Sequence, residues 1–297
     1  MGRLHAAKLA ALPDAKLVAV VDSDRARAAA LAEQHGSAVL TDFRQIFGAA
    51  SAAVIAVPTD RHYEIALACL QNQIHLLVEK PIATTLAQAD ALIEVAAERR
   101  AILQVGHVER YNQAFGALAA RMDRPLFIEA ERLSGFKQRG AEVDVVLDLM
   151  IHDIDLALAL AKSEVANVSA CGFRVLTRDI DIANARIEFA NGCVANLSAS
   201  RVSQAPLRKL RVFQSDLYVS ADLQAGKLRY VRQAGGLIEE HEETHAGGDA
   251  LAVQAEAFVG AILHGRAVQV GGESGRRGLQ LALEVGRLVR ERLEKFG

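Results

Sequence analysis

The sequence predicts an α/β protein of two domains: an N-terminal parallel sheet with helices on both faces, and a C-terminal α+β domain built on a large, open, mostly antiparallel sheet. Up to about residue 105, short apolar runs alternate with stretches of helical period, as in doubly wound sheets. Beyond Gly106, strand-like segments follow one another, and Asn191-Gly192 separates two of them as in a β-hairpin. Two helical stretches, about 249–264 and 275–295, close the chain.

The predicted boundary between the domains follows residue 106, so that the domains are 1–106 and 107–297. In the first domain, apolar runs predict strands at 16–21, 51–57, 75–78 and 101–105, and the segments 24–34, 61–72 and 85–99 predict helices. In the second domain, strands are predicted at 126–133, 166–176, 182–190, 193–202, 207–214, 217–222, 226–231 and 236–244.

Composition excludes several classes of protein. The chain has 297 residues and a formal net charge of −2, so bulk charge does not favour a nucleic-acid partner. The three cysteines (Cys69, Cys171 and Cys193) have no zinc-like spacing and fit a reducing compartment. No apolar run reaches the roughly 18 residues of a membrane span, and no signal peptide is visible. We therefore expect a soluble, cytoplasmic protein.

Lys80 is the first candidate catalytic residue. Glu79-Lys80-Pro81 directly follows the apolar run 74–78, which is typical of a buried parallel strand. Open α/β sheets bind ligands at the carboxyl ends of their strands. A lysine in a confined cleft at that edge can orient a hydroxyl group and help to remove its proton.

The start of the chain resembles the second half of a dinucleotide-binding fingerprint. Such a fingerprint has a strand, G-x-G-x-x-G and, about 20 residues later, an acidic residue that binds ribose. If Gly2 is the third glycine, Asp22 lies at the position of that acid, and the opening strand and first two glycines are missing before residue 1. An acid there favours NAD, although Arg25 and Arg27 leave NADP open.

Asp148 and His152 form the second candidate group. Residues 144–155 are predicted to form a largely buried helix, on which these two side chains share a face. Histidine is suited to proton transfer near neutral pH, and a carboxylate can hold it in place. An ordinary structural Asp–His pair is the alternative. A metal site of His107, Asp148 and His152 is a further alternative that the spacing does not favour.

The segment 106–112 lies where the first domain passes into the second. A crossover of this kind borders an interdomain cleft, so His107, Arg110 and Asn112 are candidate substrate-binding residues. A further basic cluster could bind a diphosphate, or it could lie on exposed strand faces or in subunit contacts; its members are Arg201, Arg208, Lys209 and Arg211.

Taken together, these motifs resemble the glucose–fructose oxidoreductase/inositol dehydrogenase (Gfo/Idh/MocA) family over essentially the whole chain. The likeness is carried by segments 1–6, 57–59 with His62, 79–81, 106–112, Asp148-x-x-x-His152 and 272–277. The resemblance implies a Rossmann domain, an α/β domain whose sheet supports homo-oligomers (dimer or tetramer), and oxidation of a sugar or polyol hydroxyl with NAD(P).

By position, the resemblance assigns catalysis to Lys80, Asp148 and His152. It assigns cofactor binding to a larger set: Gly2, Arg3, Asp22, Val57, Pro58, Thr59, His62, Glu79 and Lys80. Segments 150–156 and 181–186 resemble the branch that oxidises the 3-hydroxyl of UDP-N-acetylglucosamine sugars, whose keto product passes to an aminotransferase for lipid A or surface polysaccharide. A dehydrogenase of a free polyol or monosaccharide (myo-inositol or glucose) is one alternative, and a non-catalytic nucleotide-sensing or scaffold protein is another.

Overall fold

The structure, a computed structural model, describes residues 1–136, 143–245 and 247–296. The chain forms two compact units, Met1–Val108 with Asp249–Arg276, and Glu109–Gly248 with Arg277–Gly297. The first unit thus includes a C-terminal segment, whereas the sequence prediction has one boundary after residue 106.

Helices occur near every position where the sequence predicts them. In chain order they are α1 (Gly2–Ala11), α2 (Arg25–His35), α3 (His62–Gln71), α4 (Leu86–Glu98), α5 (Gln113–Ala119), α6 (Ile151–Ala161), α7 (Ala250–His264) and α8 (Gly272–Phe296). None of these helices is long and apolar enough to span a bilayer.

The strands of the first unit are short and parallel. They are β1 (Ala19–Val21), β2 (Ala38–Leu40), β3 (Ala52–Ile55), β4 (His75–Glu79) and β5 (Leu103–Gly106). β1 pairs with β2, and β3, β4 and β5 form a separate sheet in that order, so the described strands form two sheets rather than one. The sequence did not predict β2, because its three residues are too few to stand out as an apolar run.

Side-chain caps fix where α2 and α4 begin. Asp24 accepts hydrogen bonds from the backbone amides of Ala26 and Arg27 at the start of α2. Thr85 accepts one from the amide of Gln88 and starts α4, which lies within the predicted helix 85–99. α4 therefore begins shortly after the turn that contains Lys80 and Pro81.

The second unit is built on an eight-stranded sheet. Its strands are β6 (Phe127–Leu133), β7 (Val165–Phe173), β8 (Ile182–Phe189), β9 (Val194–Ser200), β10 (Leu207–Gln214), β11 (Leu217–Asp222), β12 (Lys227–Ala234) and β13 (Leu237–Thr244). The spatial order is 13-12-11-10-6-9-8-7, and all neighbours are antiparallel except β6 and β9. The predicted, mostly antiparallel sheet is confirmed.

One face of this sheet is core and the other is open. Along β6, Ile128 and Ala130 are buried while Glu129 and Glu131 are partly exposed. Side chains of α5, α6 and α8 complete a single apolar cluster on the buried face. The predicted turn at Asn191-Gly192 joins β8 to β9, and Gly192 has a φ of 87°, a conformation that favours glycine.

Candidate active site

Lys80 leaves the sheet of the first unit at the end of β4. Leu76, Leu77 and Val78 in this strand are at most 1% exposed, and the side chain of Lys80 is partly exposed directly after them. The Lys80–Pro81 peptide bond is cis. Because Lys80 directly follows β4, its amine comes from the carboxyl edge of a parallel sheet, which is the edge where such sheets bind ligands.

A buried imidazole holds Glu79, the residue before Lys80. His5 Nε2 lies 2.6 Å from Glu79 Oε1, and both residues are buried. Gly106, at the end of β5, leaves space for this carboxyl group, because a Cβ at position 106 would lie 3.0 Å from Glu79 Oε2. The sequence analysis did not find this pair, since 74 residues separate its members.

His62 joins two loops at the same edge of the sheet. Its Nδ1 lies 2.8 Å from the carbonyl oxygen of Pro81, and its Nε2 lies 3.0 Å from that of Val57. Pro58 and Thr59, the other candidate cofactor contacts of this loop, follow Val57 directly. Both ring nitrogens of His62 face backbone oxygens, so this geometry supports a role in holding the loop.

The start of α1 and the end of β1 fit a dinucleotide. No side chain caps the N-terminus of α1, and a Cβ on Gly2 would meet nothing within 4 Å, so an anion can approach the backbone amides there beside Arg3. Asp22 follows β1 directly and lies 3.1 Å from Arg27 Nη2. Since Arg27 is 68% exposed, this ion pair is a weak surface contact that a ribose hydroxyl can replace.

Asp148 and His152 lie on a helix that changes its geometry between them. Val146–Met150 form a π-helical turn, and α6 follows at once, whereas the sequence predicts one regular helix. Asp148 and His152 are both partly exposed, while Met150, Ile151 and Asp153 are buried. π turns are rare and occur frequently at functional sites.

A chain of buried charges supports the start of α6. Arg132 on β6 grips Asp153 with two hydrogen bonds, Nε to Oδ2 at 3.0 Å and Nη2 to Oδ1 at 2.8 Å. Arg132 Nη1 also donates to Glu109 Oε1 at 2.9 Å, and Arg208 donates to the same oxygen. The residue after His152 is therefore fixed to the central strand of the sheet.

Opposing effects set the pKa values in this chain of charges. Burial lowers the pKa of Arg132, but Asp153 and Glu109 raise it more, so Arg132 stays charged. Burial raises the pKa of the Asp153 carboxyl, and the Arg132 guanidinium opposes that rise.

The predicted substrate-binding residues have different surroundings. His107 is 1% exposed, at the end of the first unit. In the second unit, Arg110 lies 3.5 Å from the buried carboxylate of Asp155. The Asn112 side chain accepts from the amides of Ala114 and Phe115 as the cap of α5, and it donates to the carbonyl oxygen of Leu223.

Tyr111, which the sequence analysis did not single out, is a buried phenol beside this group. Its hydroxyl has no hydrogen-bond partner among the described residues. Burial raises its pKa to about 12, Arg110 opposes the rise and Asp155 adds to it. The hydroxyl therefore remains a proton donor. Its position within the segment 106–112 was the only sequence signal for it.

Arginines of the basic cluster predicted from the sequence pair with carboxylates of the second unit. Arg201 lies 3.8 Å from Asp181, and Arg211 bonds Glu129 and Glu131. These arginines stabilise the second unit, which favours the structural reading over a diphosphate site. Among the described residues, no group of three or more His, Cys, Asp or Glu side chains is arranged to hold a metal ion.

Comparison with known proteins adds two family matches. Residues 1–107 match the family described as an oxidoreductase family with an NAD-binding Rossmann fold, and residues 117–217 match the Gfo/Idh/MocA C-terminal domain.

Similar proteins cover almost the whole chain. UDP-N-acetylglucosamine 3-dehydrogenase of Acidithiobacillus ferrooxidans is 38% identical over 96% of this chain and 93% of its own length. A solved structure of that enzyme has a TM-score of 0.93, with 37% identity, over 97% of this chain and 94% of that one. Inositol 2-dehydrogenase of Rhizobium meliloti is 26% identical over 98% of this chain and 94% of its own length.

Proposed function

This chain belongs to the Gfo/Idh/MocA family of oxidoreductases, and from that premise we propose that it oxidises the 3-hydroxyl of a UDP-N-acetylglucosamine-type nucleotide sugar with NAD. One observation carries the choice of substrate. The similarity to a UDP-N-acetylglucosamine 3-dehydrogenase is 38% over 96% of the chain, against 26% over 98% for an inositol dehydrogenase. The branch that the chain resembles passes its keto sugar to an aminotransferase, and we propose the same place in amino-sugar synthesis for this enzyme.

NAD is the proposed cofactor, with NADP less favoured. Asp22 supports this assignment, because a carboxylate after β1 accepts a hydrogen bond from a ribose hydroxyl and repels a 2′-phosphate. The uncapped start of α1, with Gly2 and Arg3, provides backbone amides for the pyrophosphate. The loop of Val57, Pro58 and Thr59 is held by His62 at the same edge of the sheet as Lys80.

The proposed chemistry assigns one task to each catalytic side chain. His152 takes the proton from the sugar hydroxyl, and the ammonium group of Lys80 stabilises the negative charge that develops on that oxygen. Asp148, which shares the polar side of the helix with His152, orients the imidazole. His107, Arg110 and Asn112 are proposed to shape the substrate site. Bound NAD supplies a hydride acceptor.

Initial rates of NADH formation test the substrate. We would compare UDP-N-acetylglucosamine, myo-inositol and glucose with NAD and with NADP, adding the aminotransferase and its amino donor to remove the keto product. We expect kcat/KM for the nucleotide sugar to exceed the others by about 10²-fold or more, since a site built to bond polar groups rejects substrates that lack them.

Each other outcome identifies a rival function. Faster oxidation of myo-inositol or glucose would assign the chain to the polyol or monosaccharide dehydrogenases. NAD binding without turnover of any sugar would favour the non-catalytic sensing or scaffold protein. The Lys80→Ala variant serves as the blank for every substrate.

We also propose that the enzyme is a cytoplasmic homo-oligomer that associates through the open face of the eight-stranded sheet. The three cysteines are free thiols, in keeping with a reducing compartment. Phe127, Phe213 and Tyr218 form an aromatic cluster on the open face, with ring centroids 5.7 and 4.7 Å apart. Exposed aromatic clusters of this kind are enriched at protein interfaces.

A further inference from the structure

Lys80 lies between two residues that are each tied to a buried imidazole. On its N-terminal side, Glu79 Oε1 is 2.6 Å from His5 Nε2. On its C-terminal side, the carbonyl oxygen of Pro81 is 2.8 Å from His62 Nδ1. The two histidines are only 2% and 1% exposed. The backbone of Lys80 is thus held through both of its chain neighbours.

Two residues restrict the position of the Glu79 carboxyl group. His5 reaches it from α1. Gly106 lies on another side, where an added Cβ would be 3.0 Å from the Cα, Cδ and Oε2 of Glu79. Any larger residue at 106 would press on Glu79. His5 and Gly106 together restrict the carboxyl group on two sides.

The contact at Pro81 extends to the loop after β3. The second ring nitrogen of His62 is 3.0 Å from the carbonyl oxygen of Val57. A neutral imidazole has one N–H and donates to one of these oxygens at a time, whereas the doubly protonated ring donates to both. Since β3 and β4 are parallel neighbours, His62 links the two loops that leave the same edge of the sheet.

We propose that His5 and His62 are positioning residues that together fix the direction in which Lys80 leaves β4, and thereby the place of its ammonium group. This inference rests on the proposed function, in which that ammonium group stabilises charge on the substrate oxygen. A displacement of about 1 Å in a catalytic group can cost about 10²-fold in rate. Two buried contacts on either side of one residue prevent such a displacement.

The test is a set of activity cycles with Lys80. His5→Leu and His62→Leu are made alone and in the Lys80→Ala background, and kcat, KM and the NAD dissociation constant are measured per folded molecule. We expect each leucine variant to lower kcat at saturating NAD by about tenfold or more. NAD binding should stay nearly unchanged in His5→Leu and weaken in His62→Leu, because His62 also holds the proposed cofactor loop at Val57. In the Lys80→Ala background we expect almost no further loss, because residues that act as a unit are not additive.

Two kinds of control separate positioning from stability. His75 lies at the other end of β4, where its Nδ1 accepts a hydrogen bond from the amide of Ile102 at 2.9 Å. His75→Leu is expected to lower stability without lowering kcat. His5→Gln and His62→Gln keep a side-chain N–H and should recover part of kcat. If the leucine variants do not fold, the glutamine variants replace them in the same measurements.

A second readout needs neither substrate nor cofactor. Acetic anhydride labels lysines at rates that depend on their surroundings, and mass spectrometry resolves each site. We expect the labelling rate of Lys80 to change severalfold in both leucine variants while the exposed Lys227 is unaffected. Unchanged kcat together with unchanged Lys80 labelling in the leucine variants would overturn the inference. A loss of kcat that is just as large in the Lys80→Ala background would overturn it as well. Full turnover by Lys80→Ala alone would instead remove the role proposed for Lys80 in the reaction, and the labelling result would still test the two contacts.

Discussion

At the scale of single residues, the proposed catalytic side chains share one kind of environment. Lys80, Asp148 and His152 are all partly exposed, and two of them lie directly beside buried residues: Lys80 follows Val78 and Glu79, and His152 lies between Ile151 and Asp153. Functional groups need supports that keep them in one geometry. Here the supports are a buried strand for Lys80 and the Arg132–Asp153 ion pair for the helix of His152.

The first prediction concerns these two side chains. Lys80→Ala and His152→Ala are each expected to lower kcat by about 10²-fold or more, because one removes charge stabilisation and the other removes proton transfer. NAD binding should stay nearly unchanged in both. Steady-state kinetics and isothermal titration with NAD measure the two quantities.

Exposed residues of the same types supply matched controls. Lys227→Ala and His264→Ala alter side chains on the surface of β12 and at the end of α7, and both should leave kcat unchanged. Near-normal turnover by Lys80→Ala or His152→Ala would remove the role assigned to that residue.

A second prediction concerns Asp181, whose carboxylate organises the loop between β7 and β8. It accepts hydrogen bonds from the amides of Val175, Leu176 and Thr177 and from the Thr177 hydroxyl. Burial alone would raise its pKa, but these hydrogen bonds, with that of Thr177 first, lower it to about 2. Because the folded pKa lies below the ordinary value of 3.8, the carboxylate stabilises the fold above about pH 4.

That stabilisation should disappear as the pH falls from about 4 towards 2. A difference of nearly two pKa units corresponds to about 2 kcal/mol, so Asp181→Asn is expected to lower the free energy of unfolding at pH 7 by about that amount. Urea unfolding at several pH values measures it. Asp179→Asn, two residues away, is the control, and equal losses in both variants would contradict the prediction.

Sequence alone was sufficient to single out Lys80, Asp148 and His152, because each is a polar residue set in or after an apolar segment. The partners of such residues could not be predicted from the sequence. His5 and Glu79 are far apart in the chain, and the arginine partners Glu129 and Glu131 lie on a different strand from Arg211. Asn112 could have been recognised as a helix cap, since it directly precedes α5.

At the scale of elements, three buried charges and the half-exposed Arg208 join four parts of the second unit. Glu109 lies in a short 3₁₀ turn, Arg132 on β6, Asp153 on α6 and Arg208 on β10. Removing one member of a buried ion pair leaves an uncompensated charge, which costs far more than breaking a surface pair. The helix that carries His152 therefore depends on one guanidinium group.

The third prediction follows from that dependence. Arg132→Met is expected to lower the free energy of unfolding by about 3–5 kcal/mol, because Asp153 and Glu109 would lose their shared partner in the interior. Arg186→Met, which breaks an exposed pair with Glu188, should cost less than about 1 kcal/mol. Chemical denaturation compares the two, and equal effects would refute the account.

Strands and helices could be predicted from sequence where their hydrophobic pattern extends over many residues. The strands 207–214 and 217–222 agree with β10 and β11 residue for residue, and α4 lies within the predicted helix 85–99. Two features were not predictable. β2 is too short to show a period, and the π turn at Val146–Met150 depends on backbone hydrogen bonds that composition does not encode.

At the scale of the whole molecule, the open face of the eight-stranded sheet sets the expected assembly. The register places Arg211 opposite Glu129 and Phe213 opposite Phe127, so this face has an ordered pattern of charges and rings. Sequence patterning predicted such a sheet, and the resemblance to the family implied that it supports oligomers. The pairing of individual side chains across strands required the structure.

Light scattering tests the assembly. We expect a dimer or tetramer, and we expect Phe213→Glu to lower the molar mass, because a charge would then lie within the aromatic cluster. Phe296→Glu, at the exposed end of α8, is the matched control and should leave the mass unchanged. A wild-type protein that stays monomeric at every concentration would rule out this interface.

The π turn before α6 restricts how this segment can diverge among related genes. Each residue of an α-helix advances the chain by about 100° around its axis, since a turn contains 3.6 residues. Loss of a single codon at Leu149 would remove the extra residue of the π turn. Asp148 and His152 would then be three residues, or about 300°, apart, which is still one face of the helix. We expect natural variants of this segment to keep Asp148 and His152 and to differ in length by no more than one residue.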